Sequence, residues 1–455
     1  MAVQKRSLLV AGTAAALAVS LFPPAAAGAA QPVRQTAQTD QTGRPVHPDW
    51  RAAWTASMHH PFAGFGTPNW SPAGFADQTL RQVVRVGVGG SSTRVRLSNR
   101  FGDRPIRVTG ATVGRAGVGA AVQPGSLRPL TFHRSASVTI PAGAEIVSDA
   151  ASLSTRALDS LAVTLYFADA TGPATLHENA NATAYRASGD RRSVTGAGAF
   201  DQTSQSWYFL TGVETTGRPA RDNGVVVAFG DSITDGYGTT PDADNRYPDE
   251  LAERLSTGRR PLSVVNAGIG GNKLLADSTC FGAAGVSRFD RDVLDQPGVR
   301  AVVVLAGVND IIGGGYPDFG CGSSGVVSAE QLIDGHRRLI RTARARGVRI
   351  VGATMLPIKG GVGDDTPTNE DGVPGREAVR DAVNQWIRTS GEYDAVADLD
   401  RALADPEDRD ALRPAYDSGD HLHPNDAGAA AIAAIVAPLV GGNGPCPDRS
   451  ESLRG

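Results

Sequence analysis

The spacing of hydrophobic positions changes once along the chain. From 50 to 215 apolar residues alternate with polar ones or gather in β-branched clusters: TLRQVVRVGV (79–88), TRVRLSN (93–99), IRVTGATV (106–113), ASVTI (136–140) and SLAVTLYF (160–167). Gly, Pro, Asn and Asp punctuate them, as in NRFGD and IPAGAE. Short strands with frequent turns and no helical period predict an all-β sandwich or jelly-roll-like domain. After 224 continuous apolar runs appear instead: VVVAF (225–229), LSVVNAGI (262–269), AVVVLAG (301–307), RIVGATMLP (349–357) and DAVADLD (394–400). Between and after them lie helical patterns at 247–255, 287–295, 329–347, 375–390 and 425–440. Apolar strands separated by amphipathic helices predict a parallel sheet covered on both faces, a three-layer doubly wound α/β domain.

The ends of the chain follow other rules. Lys5 and Arg6 precede the apolar run SLLVAGTAAALAVSLF, and small residues follow in PPAAAGAA. This is the pattern of a secretory signal over 1–30, short for a membrane span. A Gln/Thr/Pro-rich leader over 31–49 comes next. The expected division is then a β-rich domain at 50–215, a linker at 216–223, an α/β domain at 224–442 and a tail at 443–455. A length of 455 residues, 41% hydrophobic and 20% charged, fits two globular domains. The formal net charge of -3 gives no basic footprint for nucleic acid. The expectation is a secreted, extracellular monomer with no stable membrane insertion.

A doubly wound sheet presents its chemistry at the carboxyl ends of its strands. The first strand ends in Gly230-Asp231-Ser232-Ile233-Thr234, the second in NAGIGGN (266–272), and the third in Gly307-Val308-Asn309-Asp310. SGDHLHPND (418–426) precedes the last helix. A serine, glycine amides, a carboxamide, a carboxylate and a histidine are the parts for acyl transfer through a serine. A serine hydroxyl needs a base, for which His423 is the candidate and His421 the rival. Asp420, three residues before His423, is placed to orient its ring. The oxyanion donors expected are the N–H of Ser232, a glycine N–H from GIGGN and the Asn309 side chain. Each motif alone is common; a bare Gly-Asp-Ser is more often a simple strand-end turn. Together, at positions the sheet had already marked, they carry weight.

These residues resemble the GDSL/SGNH hydrolase family over roughly 224–440. The resemblance rests on GDSIT with Ser232, the Gly block, GVND with Asn309, and DHLHP with Asp420 and His423. It implies a flavodoxin-like SGNH catalytic domain and a carboxylic ester hydrolase. Aligning Asn266 with the family's Asn-Ala-x-Ile-x-Gly pattern puts the glycine donor at Gly271, with Gly268 and Gly270 left open. The serine lacks the Gly-x-Ser-x-Gly elbow of α/β-hydrolases, because Thr234 stands two residues after it. The strand-rich half resembles, more loosely, the accessory β-domain of some secreted esterases of this family. Acylated carbohydrate or small plant-derived esters are the expected substrates. A lipase or phospholipase of the same family is the alternative, and a glycan-binding protein with a vestigial hydrolase domain is the alternative outside enzymes. No cofactor and no metal site are expected.

Three cysteines occur, at 280, 321 and 446. Cys280 follows the Gly block and Cys321 the Asn block, both in loops expected at the active-site rim, so a disulfide between them is predicted. Two free thiols, or a pair with Cys446, are the other options. The loop WTASMHHPFAGFGTPNWSPAGF (54–75) carries Trp54, Phe62, Phe65, Trp70 and Phe75. These aromatics either contact substrate or staple the loop to the β-rich half. His59-His60 has no acidic or Cys partner that would make a metal site.

Overall fold

Val225 to Phe229 alternate between two cores, and this explains why the run is apolar throughout. Val225, Val227 and Phe229 pack in one layer, and Val226 and Ala228 in the other. In the computed structural model the described residues are 38–39, 45–46, 50–64, 69–217, 224–257, 261–313, 321–322, 325–361 and 375–441. The signal, most of the leader, most of the linker, the tail, Phe65 and Cys446 lie outside them.

In the β-rich half the strands used below are β1 (Arg51–Thr55), β2 (Gln78–Arg85), β3 (Ser92–Ser98), β4 (Gly110–Arg115), β5 (Arg128–Leu130), β6 (Glu145–Val147), β7 (Ser160–Phe167), β8 (Ala184–Ser188), β9 (Gln202–Ser204) and β10 (Leu210–Thr216). They form two antiparallel sheets, ordered β6-β3-β10-β1 and β9-β8-β2-β7-β4-β5. One core lies between them, with Leu80, Val84, Val163 and Leu165 from one sheet facing Val95, Leu97, Leu210 and Val213 from the other. This is a sandwich.

The α/β half carries one five-stranded parallel sheet: β11 (Val225–Gly230), β12 (Ser263–Gly268), β13 (Val299–Leu305), β14 (Arg349–Ala353) and β15 (Ala395–Ala397). The spatial order is β12-β11-β13-β14-β15. This is the doubly wound order that opens a crevice where the chain reverses direction, beside the first strand. The last predicted run is shorter than expected. After Ala397 the chain turns helical at Leu399–Leu403, and Asp398 stands at that helix's N-cap. The helices are α1 (Ser232–Asp235), α2 (Tyr247–Ser256), α3 (Gly285–Phe289, running on into a π turn), α4 (Val308–Ile312), α5 (Ala329–Ala345), α6 (Arg376–Thr389), α7 (Leu399–Leu403) and α8 (Asp426–Gly441). Ser328 and Gln331 close a capping box at the start of α5. No helix among the described residues is long and apolar enough to cross a membrane.

Residues 48–455 cluster as one unit, so the two halves share a closely packed boundary. Ala52 of β1 lies in the core beneath the parallel sheet. Its carbonyl accepts from Ser263 Oγ at 2.7 Å, and Thr55 Oγ1 donates to the Asn266 carbonyl at 2.8 Å. Further along, Arg246 donates to the Ala180 carbonyl at 3.0 Å, and Asn181 to Thr239 Oγ1 at 2.7 Å. The aromatic loop belongs to the sandwich: Trp54, Trp70 and Phe75 are buried in its core. Stapling, rather than substrate contact, accounts for these three.

Candidate active site

The chain leaves β11 at Gly230 and turns at once into α1. A Cβ on Gly230 would meet Leu305 O at 2.2 Å and Thr234 Oγ1 at 2.3 Å, so only glycine fits. Asp231 caps the turn, accepting from the Ile233 N–H at 3.1 Å. Burial raises its carboxyl to about 7, against the pull of that N–H. Ser232 is thereby fixed at the first helical position beside the crevice.

Ser232 Oγ lies 2.8 Å from His423 Nε2. His423 Nδ1 lies 2.6 Å from Asp420 Oδ2. The three-residue spacing works because Asp420 folds the turn as well as pairing with the ring. Its Oδ1 accepts the N–H groups of Leu422 at 3.0 Å and His423 at 2.8 Å. Partial burial would raise this carboxyl; the hydrogen bonds from His423 outweigh it and hold the group well below the usual carboxylate range. A carboxylate that stays charged keeps the proton on Nδ1 and leaves Nε2 free to accept from the serine. The rival His421 is engaged elsewhere. Its Nδ1 pairs with Asp417 Oδ2 at 2.6 Å, and its side chain is largely exposed.

The oxyanion candidates converge from three strands. The Gly268 N–H is taken by Asn266 Oδ1 at 2.8 Å, and the Gly270 N–H by Asp235 Oδ2 at 2.9 Å. Gly271 is the glycine of the three whose N–H has no partner among the described residues. It holds φ of +69°, and a Cβ there would run into the Phe281 ring at 2.5 Å. Asn309 follows Gly307 at the start of α4 and donates one amide hydrogen to the Asn272 carbonyl at 3.1 Å. That bond aims the side chain at the Gly block and leaves its second amide hydrogen to donate. Asp310 holds the next segment, accepting from Leu274 N at 2.6 Å and Leu275 N at 2.9 Å. Burial raises Asp310 to about 6.

Two buried side chains beneath the site, Arg288 and His177, lie outside the sequence motifs. Arg288 is fully buried. It donates to the Gly230 carbonyl at 2.7 Å, the Ala267 carbonyl at 2.8 Å and Asn272 Oδ1 at 2.9 Å, and pairs with Asp292 at 3.1 Å. It thus ties the nucleophile strand to the Gly block. Burial lowers its pKa, with Asp292 opposing. Asp235, on α1, bonds His177 of the β-rich half at 2.8 Å. An Arg in an amphipathic segment and a His in a two-residue strand carry no local signal of either role.

The predicted disulfide is present: Cys280 and Cys321 are bonded, with Cα atoms 5.1 Å apart. It joins the loop after the Gly block to the segment after α4, and Ser278 Oγ adds a bond to the Cys321 carbonyl at 2.8 Å. Tyr237 stands at the rim, its ring 4.5 Å from that of His423 and 53% exposed. A hollow of about 540 Å³ lies where the halves meet, lined by Arg85, Arg115, Tyr185, Asp242 and Arg246, but neither Ser232 nor His423 borders it. His59 is buried, and its Nε2 accepts from the Glu178 N–H at 3.0 Å. The acidic group Glu377, Asp381 and Asp410 is threaded by Arg380.

A serine, an imidazole and a carboxylate thus stand in hydrogen-bonded series at the crevice of a three-layer α/β domain. Residues 228–431 match the GDSL-like Lipase/Acylhydrolase family, so the α/β half is a domain of that family and the chain is an ester-bond hydrolase. Similar solved structures include a GDSL-like lipase from Bacteroides thetaiotaomicron, 16% identical, covering 47% of this chain and 86% of that one, with a TM-score of 0.34. A variant of an acetyl-xylooligosaccharide esterase from Geobacillus stearmophilus is 20% identical and covers 49% and 95%, with a TM-score of 0.36. A lipase/acylhydrolase from Enterococcus faecalis is 18% identical and covers 48% and 95%, with a TM-score of 0.34. No curated protein matches the chain.

Proposed function

We propose that the protein is a secreted serine esterase that cleaves carboxylic esters through an acyl-enzyme. The observation that carries this reading is the hydrogen-bonded series Ser232 Oγ, His423 Nε2, His423 Nδ1, Asp420 Oδ2, at 2.8 and 2.6 Å. Ser232 Oγ attacks the ester carbonyl carbon while His423 Nε2 takes its proton. Asp420 keeps Nδ1 protonated and steadies the imidazolium. The carbonyl oxygen becomes an oxyanion and receives hydrogen bonds from Ser232 N–H, Gly271 N–H and Asn309 Nδ2. Collapse breaks the bond to the alcohol, which leaves with the proton from His423. Water, deprotonated by His423, then attacks the acyl carbon, and the acid leaves as Ser232 regains its proton. His423 must be neutral to start the cycle.

The substrates we propose are acylated carbohydrates or small plant-derived esters. Tyr237 supports this, because a half-exposed ring beside His423 offers a flat face to a sugar or aromatic alcohol. The test is the hydrolysis of p-nitrophenyl esters by wild type and Ser232→Ala. The variant should lose about 10⁴-fold or more in kcat while its thermal unfolding is unchanged. Near wild-type turnover would overturn the reading. Preference for acetate over laurate is expected; the reverse would favour a lipase.

A further inference from the structure

His177 reaches from the β-rich half to the helix that carries the nucleophile. It lies in the two-residue strand Leu176–His177, paired with Trp207–Tyr208, and its ring stacks on Trp207 at 5.4 Å. The side chain is 3% exposed. Nδ1 is 2.9 Å from the Ser57 carbonyl oxygen. Nε2 is 2.8 Å from Asp235 Oδ1 and 3.2 Å from the Asn179 carbonyl oxygen. Every one of these partners is an acceptor. A neutral imidazole has a single N–H to donate, so both nitrogens are satisfied only in the imidazolium. Asp235 stands three residues after Ser232 on α1, and its other oxygen accepts the Gly270 N–H at 2.9 Å. One carboxylate therefore joins the nucleophile's helix, the glycine turn and a buried cation from the other half.

We propose that His177 is a positioning residue held as an imidazolium, fixing the Gly270–Gly271 turn against Ser232 through Asp235, so that the β-rich half completes the oxyanion site. This rests on the esterase reading above. Without the cation, Asp235 would be a buried carboxylate short of a partner. It would then draw in water or a proton, and its hold on Gly270 would change.

The groups facing His177 make the balance explicit. Asp235 stabilises the charge. Arg246, whose guanidinium lies 5.5 Å from the Trp207 ring, opposes it. The His59 ring, 6.4 Å away, is kept neutral with a pKa of about 3, chiefly by burial and next by the charge on His177. Arg288 approaches Ser57 Oγ at 3.4 Å. Burial pushes His177 toward neutrality, but the charge and hydrogen bond of Asp235 outweigh it, and its pKa is raised. A raised histidine pKa means that the contribution is complete below the ordinary histidine range. It is lost as pH rises through the folded value. The expected signature is an alkaline limb in kcat with KM flat.

The test uses the full-length chain and three readouts. In wild type labelled with 15N-histidine, one imidazole should carry both protons at pH 7 and lose one only above the ordinary range. His177→Gln should lower kcat on p-nitrophenyl acetate by about 10- to 100-fold, with KM within about two-fold and the alkaline limb gone. In Asp235→Asn the amide can donate to a neutral ring and still accept from Gly270, so the alkaline limb should vanish there as well. A singly protonated His177 would overturn the proposal. So would a folded His177→Gln with wild-type kcat and pH profile. If His177→Gln does not fold, an unchanged alkaline limb in Asp235→Asn overturns it. An inactive wild type would instead overturn the esterase reading, and the NMR result on His177 would stand apart from it.

Discussion

In the α/β half, the residues of the site come in short sequence motifs that the fold brings together. Ser232 and Asp235 share one helical turn, and Asp420 and His423 share another turn. In the β-rich half the residues that approach the site come from separate segments: Thr55 and Ser57 from one, His177 and Asn179 from another. The parallel sheet gathers motifs at its strand ends because its geometry sends every strand to the same edge. The sandwich has no such edge, and it reaches the site through single side chains at its boundary. Function can therefore depend on the β-rich half even though no motif in it spells a function.

That contrast can be broken at graded strength. After Ser232→Ala, the largest effect is expected at Asn309. Asn309→Ala removes an oxyanion donor and should cut kcat by about 10²–10³-fold, with KM little changed. An effect mainly on KM would mean that Asn309 binds ground-state substrate. Next is a core position far from the chemistry. Leu165 on β7 is fully buried in the sandwich. Leu165→Ala should cost about 2–5 kcal/mol of stability in chemical denaturation. Its kcat at 25 °C should stay at wild type, because the residue touches no group of the site. A matching fall in kcat would show that the sandwich core, and not only its boundary, sets the catalytic geometry.

The smallest effect is expected at Asp231. Its carboxyl titrates near 7 in the fold, well above the ordinary value, so the folded state binds the proton more tightly than the unfolded chain. Stability is then lost as pH rises from the ordinary carboxyl range through about 7. Asp231→Asn keeps a capping oxygen for the Ile233 N–H and carries no charge. Its Tm should exceed that of wild type by about 2 °C or more at pH 8, with the gap closing below the ordinary carboxyl range. A pH-independent gap would contradict this.

What was legible follows the same divide. Val225 to Phe229 declared a two-faced buried strand because both layers demand apolar side chains there. SLAVTLYF at 160–167 was read with its ends correct, between turn residues on either side. The serine and asparagine were legible as candidates because their motifs fall at strand ends, and the histidine because Asp-x-x-His-Pro stands just before the last helix. The choice among Gly268, Gly270 and Gly271 was not. It turns on which N–H groups Asn266 and Asp235 occupy, and those bonds exist only after folding. His177 was illegible for a related reason: its partner Asp235 lies 58 residues away, across the boundary between the halves. Arg288, with acceptors on β11, on β12 and in the turn that follows, reads in sequence as one more arginine on a helix.

The central claim is that Ser232 is an activated nucleophile, and covalent labelling tests it most directly. The protein is incubated with a fluorophosphonate and weighed intact, and the labelled peptide is then mapped. One adduct on wild type, located at Ser232 and absent from Ser232→Ala, is the predicted result. An unlabelled wild type, or equal labelling of Ser232→Ala, would contradict it.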